Sequence, residues 1–150
     1  SSQASLANTS FYCGSYGFYR PVTRAVYRGR VISLRTWSSR GTCEYFSNVL
    51  NSLVSNGNLV SIVVGRYNGR KAICAYDRRP PDRPLSCSNS RAIFLYSNEV
   101  DMRGEIHWLA TLPWESNTYV RNSNPRFWLS RNGRYWGIDV QEWLEASYNS

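Results

Sequence analysis

At 150 residues the chain suits one domain, long enough to bury about 70% of its unfolded surface without outside help. Its apolar runs fall far short of the ~18–20 residues a membrane span needs, so no membrane partner is expected. The net charge of +8 is almost wholly arginine, 17 against the single Lys71. Guanidinium forks match phosphate geometry and stack on rings. With 11 Tyr and 6 Trp beside them, this composition allows an RNA or phosphate binder as readily as a plain basic surface.

In chain order, residues 1–8 read as a flexible polar tail and 9–150 as a single domain. The opening "SSQASLANTS" reads as the processed end of a secreted chain or as a cloning remnant, and Asn8-Thr9-Ser10 is a glycosylation sequon. Thr9–Gly14 predicts a short strand. Pro21, well placed in a first turn, opens a predicted short helix with Val22, Ala25 and Val26 on one face. "GRVISLRTW" is extended. A helix over Thr42–Ser55 follows, with Phe46, Val49, Leu50, Leu53 and Val54 on one face, Glu44 in its first turn and Asn56-Gly57 as its stop.

"NLVSIVVGRY" and "RKAICAY" then flank Asn68-Gly69, a favoured two-residue hairpin turn. A Pro/Ser loop over Arg78–Ser90 precedes a predicted strand pair, Arg91–Tyr96 with Gly104–Leu109. A further hairpin is expected around Asn132-Gly133. Val140, Trp143 and Leu144 mark a C-terminal helix capped by Asp139 and Glu142. The sum is an α+β domain: a mostly antiparallel sheet of about seven strands built from hairpins, with two or three helices packed on one side.

Cys13, Cys43, Cys74 and Cys87 show no C-x-x-C spacing, and His107 is the only histidine. Zinc normally takes four close N/S ligands, so no metal is expected and no cofactor is implied. An even count in a small chain favours two disulfides in one of three connectivities, and hence secretion, the alternative being buried free thiols in a cytosolic protein.

The chemistry-bearing stretch is Ser90–Leu109, "SRAIFLYSNEVDMRGEIHWL". On a strand, residues two apart share a face, so Glu105 and His107 would project together, with Arg91 across the pair. A carboxylate base, an imidazole acid and a guanidinium clamp are what RNA cleavage through the 2′-hydroxyl and a 2′,3′-cyclic phosphate requires. Lys71, Arg78, Arg79, Arg83 and Arg103 are candidate phosphate contacts.

The run from Arg91 through the Asn-containing turn to Gly104-Glu-Ile-His107 resembles the segment holding the catalytic arginine and histidine of the fungal guanine-specific ribonucleases and sarcin-like ribotoxins. "FYCGSYGFYRPVTRAV" is similar to the Y-x-C-G strand and following helix of that fold. The Y/F-x-C motif also resembles the ribonuclease-like secreted effectors of powdery mildew fungi, many of which keep the fold and lose the catalytic set. The resemblance implies catalytic roles for Arg91 and His107. It also implies an early Tyr-x-His and a glutamate upstream of the arginine. Here there is no second histidine, and Lys71 and Ala72 stand where the glutamate would fall, leaving Glu105 as a substitute base. The family's bridge to a C-terminal cysteine has no counterpart either, since Cys87 is the last cysteine.

The expected function is therefore that of a secreted, monomeric ribonuclease-fold virulence effector, more a pseudoenzyme than an enzyme. Its partner would be host RNA, the ribosome or a host protein, an immune receptor included by family analogy. Alternatives are an active ribotoxin-like endoribonuclease, and an extracellular disulfide-stabilised domain that binds a protein or glycan.

Overall fold

β-Branched and aromatic residues recur between Phe11 and Thr36, where the chain forms an antiparallel meander: β1 (Ser10–Tyr16), β2 (Arg20–Tyr27) and β3 (Arg30–Thr36). A computed structural model describes residues 6–16, 20–79, 85–110, 128–131 and 135–149. The helix expected at Pro21 is instead β2, the central strand of this sheet. Three of its first residues are β-branched or proline, and a proline is tolerated in a sheet near a strand's start. Arg28 and Gly29, both at positive φ (52° and 76°), then turn the chain straight into β3. That two-residue turn is incompatible with a helix ending there. Leu6, within the expected tail, is buried, and its carbonyl accepts from the Thr9 amide.

The long helix α1 (Arg40–Ser55) begins two residues before the predicted start, because the Ser39 hydroxyl caps it by accepting from the Thr42 amide at 3.3 Å. Glu44 consequently lies beyond the first turn and pairs with Arg40 across one helical turn at 3.8 Å. The buried face carries Cys43, Phe46, Leu50, Leu53 and Val54. It packs on β1 and β2, where Cys13–Cys43 forms a disulfide and the Phe11 amide donates to Asn51 Oδ1 at 3.0 Å.

A second sheet follows, built on β4 (Ser61–Tyr67) and β5 (Arg70–Tyr76). Asn68-Gly69 forms the expected turn, with φ values of 49° and 77°. Beyond β5 lies β7 (Ala92–Tyr96); beyond β4 lie β9 (Tyr135–Asp139) and β8 (Trp128–Arg131). β8 and β9 pair antiparallel as expected, and the turn between them lies outside the described residues. The two-residue β6 (Leu85–Ser86) runs parallel to the end of β4. An added Cβ at Gly65 would sit 2.6 Å from the Leu85 carbonyl oxygen, so only glycine admits that approach.

The fold is α+β with mostly antiparallel strands, here divided between two sheets. Alternation sorts the second sheet's faces. Ile62, Ile73 and Ala75 join Phe11, Leu34, Phe46 and Leu50 in the main core, whereas Val63, Ala72 and Cys74 face a small cluster closed by Cys87. The second disulfide, Cys74–Cys87, staples the loop onto that face.

The largest departure concerns residues 102–110. The strand expected over Gly104–Leu109 is helix α2 (Met102–Ala110). Asp101 Oδ1 accepts from the Arg103 amide at 3.2 Å at its start, and Met102, Ile106, Leu109 and Ala110 are buried. Their spacing of four, then three, then one is helical. The apparent alternation in "GEIHWL" was the weaker of two readings. The chain ends in α3 (Val140–Tyr148), capped by Asp139 Oδ1, which accepts from the Glu142 amide at 3.1 Å.

Candidate functional site

Turning 104–109 into a helix takes the expected triad apart. Residues two apart on a helix are separated by about 200° around the axis, so Glu105 and His107 leave α2 on opposite sides. Glu105 is half-buried and lies near Tyr96, whose phenol is pushed up to about 12 by burial and by that carboxylate. His107 is exposed. β7 pairs with β5 rather than with residues 104–109, and Arg91 stands at the end of β7 away from the turn into α2. There its Nη2 donates to Asp77 Oδ2 at 3.2 Å. Asp77 is held below the usual carboxylate range by hydrogen bonds and attraction from Arg91 and Arg78, which outweigh its desolvation.

The candidate phosphate contacts are likewise dispersed. Lys71 Nζ donates to the Val100 carbonyl at 2.7 Å and so holds the turn before α2. Arg78 and Arg79 are exposed at the end of β5, with Arg78 bonded to Asp77 at 3.3 Å and 5.7 Å from the Tyr76 ring. Arg103 is exposed on α2. Arg83 lies outside the described residues. Around Asp77, then, Arg78 and Arg91 share one carboxylate, with exposed Arg79 next in sequence to Arg78, leaving an excess of positive charge.

A different cluster draws together what the sequence keeps apart. The β2–β3 register slips between Thr23 and Arg24: Arg24 faces Ser33, Thr23 faces Arg35, and Leu34 is the extra residue. Without the slip Arg35 would share the outer face with Val31, which is 56% exposed. The bulge turns it inward beside Thr23, and Arg35 is only 8% exposed. Its guanidinium lies over the Trp108 ring, 3.4 Å from the centroid, and 5.8 Å from the Trp37 ring.

These two rings belong to an aromatic cluster drawn from three elements and the residue just past β3. Trp37, just past β3, is buried and donates from Nε1 to Thr23 Oγ1 at 2.8 Å. Its centroid is 5.1 Å from Phe46 on α1, 6.2 Å from Phe94 on β7 and 5.7 Å from Trp108 on α2. Phe94 stacks on Phe46 at 5.8 Å and meets Tyr45 at 5.9 Å. A second bulge, between Ile73 and Cys74, leaves Ile93 as the extra residue of β7, and the Tyr45 hydroxyl donates to its carbonyl at 2.6 Å.

Within this aromatic surround no hydrogen-bond acceptor or anion among the described residues meets Arg35, and its Nε is buried without a partner. Burial pushes the guanidinium down to about 10, which leaves it charged at neutral pH. Trp108 above it stays 47% exposed and Tyr45 is 45% exposed. The site is a buried cation roofed by an accessible indole. Sequence reasoning passed it over because strict alternation assigns Arg35 to the solvent face. The one legible hint was the spacing of Arg35 and Trp37, two apart on a strand.

Comparison with protein-family models, with curated proteins and with solved structures finds no match to this chain.

Proposed function

We propose that this chain is a secreted, disulfide-braced effector that binds RNA, host ribosomal RNA included, without cleaving it. The observation that carries the non-catalytic half is α2: a helix where the chemistry needs a strand puts Glu105 and His107 on opposite faces. Transfer through the 2′-hydroxyl needs base, acid and cation on one phosphate at once, and general acid–base help is worth ~10²–10⁴ in rate. Arg91 is engaged by Asp77, so the clamp is diverted as well. The two disulfides support an oxidising compartment. The charge of +8 and the arginines crowding Asp77 support a polyanionic partner.

The test is incubation with ribosomes and with single-stranded RNA. The expected result is intact RNA after prolonged exposure, together with retention that falls steeply as salt rises, because phosphate contacts release counterions. His107→Ala should change neither. RNA cleavage that disappears in His107→Ala would overturn the proposal.

A second reading, a host-protein partner such as an immune receptor, draws on Tyr45 and Trp108, exposed rings of the kind that anchor protein interfaces. Absence of any salt-dependent RNA retention would favour it.

A further inference from the structure

We infer that Arg35 and Trp108 form a nucleotide subsite, in which the Arg35 guanidinium takes a phosphate and the exposed part of the Trp108 indole carries the base. The inference rests on the RNA-binding reading and says where one unit of the strand would sit.

Three observations point to an anion as the ligand of Arg35. First, the fold does not tolerate Arg35 by accident of the surface: a bulge in β3 turns it away from solvent to 8% exposure. Second, a buried cation is ordinarily paired, because desolvation of an unpaired charge is expensive. Here the only compensation among the described residues is from ring faces. By contrast, Arg28 and Arg91, which are more exposed, both have carboxylate partners. Third, the unused donors are accessible in part. Nε is shut off from solvent, whereas the two Nη groups, equally without a partner among the described residues, are not sealed.

The ligand's chemistry follows from what surrounds those donors. A guanidinium lying flat on an indole directs its N–H groups sideways, in the plane, where a phosphate can accept two of them. The indole has one face covered by Arg35, while Trp108 as a whole stays 47% exposed. An aromatic base stacks on such a surface whatever its identity, so the subsite is expected to read the nucleotide unit rather than its sequence. Tyr45, 45% exposed and joined to Trp37 through Phe46 and Phe94, offers a second platform on the same patch. A bare inorganic anion would use Arg35 alone; a nucleotide uses both parts.

The experiment titrates the full chain with 5′-AMP, adenosine and inorganic phosphate, following tryptophan fluorescence, and with a short fluorescent single-stranded RNA, following anisotropy. It is repeated on Arg35→Gln and on Trp108→Leu, the latter a surface position whose variant is expected to fold even if the former does not. The expected result is quenching by AMP, at least ~10-fold weaker binding of adenosine or phosphate alone, and a similar ~10-fold loss for AMP and RNA in both variants. If the wild-type chain binds RNA and folded Trp108→Leu binds AMP and RNA equally well, the subsite is wrong while the RNA reading stands. If AMP binds with Arg35 and Trp108 dependence but RNA does not, the subsite stands and the RNA reading falls. If neither AMP nor RNA binds, both fall.

Discussion

Among the described residues, two corners set arginine on a ring carried by a helix, and they solve the problem of the charge in opposite ways. At the β2–β3 turn, Arg28 and Arg30 lie 4.9 and 4.4 Å from the Tyr148 ring of α3. Glu145 of the same helix receives Arg28 at 3.1 Å and the buried Tyr27 hydroxyl at 2.6 Å. Every strong donor there has an acceptor, and the cluster pins α3 to the first sheet. At the other end of β3, Arg35 is more deeply buried than either and, among the described residues, has rings but no acceptor. The first corner is what arginine–aromatic packing looks like when it serves the fold. The second keeps a cost that packing alone does not offset, which marks it as the place where something else is bound.

The comparison is broken most severely by Trp37→Ala. That ring is buried, touches Phe46, Phe94 and Trp108, and donates to Thr23. Its removal should cost about 3–5 kcal/mol, as for other large core rings, read as a lowered denaturation midpoint with the slope unchanged. A loss below ~1 kcal/mol would mean that the aromatic cluster does not support the junction of the two sheets.

Tyr27→Phe breaks the paired corner next, by roughly 1–3 kcal/mol, since a buried hydroxyl bonded to a carboxylate is lost and Glu145 keeps only Arg28. Its pH dependence is the sharper readout. Burial first, then the hydrogen bond to and the charge of Glu145, push the Tyr27 phenol from 10.0 up to about 12. A raised folded-state value means the native state holds the proton that the unfolded chain releases. That stability is complete below pH 10 and is lost as pH climbs towards 12. Denaturant titrations between pH 9 and 12 should show the wild-type chain losing its advantage over Tyr27→Phe; parallel profiles would refute the assignment.

How far these corners were legible from sequence is instructive. The α1 face, the Asn68-Gly69 hairpin, the Asp139 cap and the C-terminal helix follow from local periodicity and turn chemistry, and they formed as read. Residues 102–110 did not, because six residues that alternate sit inside nine that repeat with helical spacing, and the Asp101 cap decides for the longer pattern. With that strand went the reason to group Glu105 and His107. Arg35 was hidden for a different cause. A bulge depends on how two strands register against each other, and no single segment carries that information.

The smallest expected change, and the one opposite in sign, comes from Arg35→Met. Attraction of a guanidinium to an indole is worth at most ~2 kcal/mol when desolvated, while the penalty for burying an unpaired cation runs to several kcal/mol. A thioether of similar length keeps contact with both tryptophans and has nothing to desolvate. The variant should therefore be as stable as the wild-type chain or up to ~1 kcal/mol more stable, measured by denaturant titration without added nucleotide. The equivalent change at Arg28 offers no such gain, since it would leave Glu145 with one donor fewer. If instead Arg35→Met loses more than ~1 kcal/mol, Arg35 belongs to the fold as Arg28 does, and the two corners are not different in kind. Stability retained at the position where nucleotide binding disappears is the pattern that separates a binding residue from a structural one.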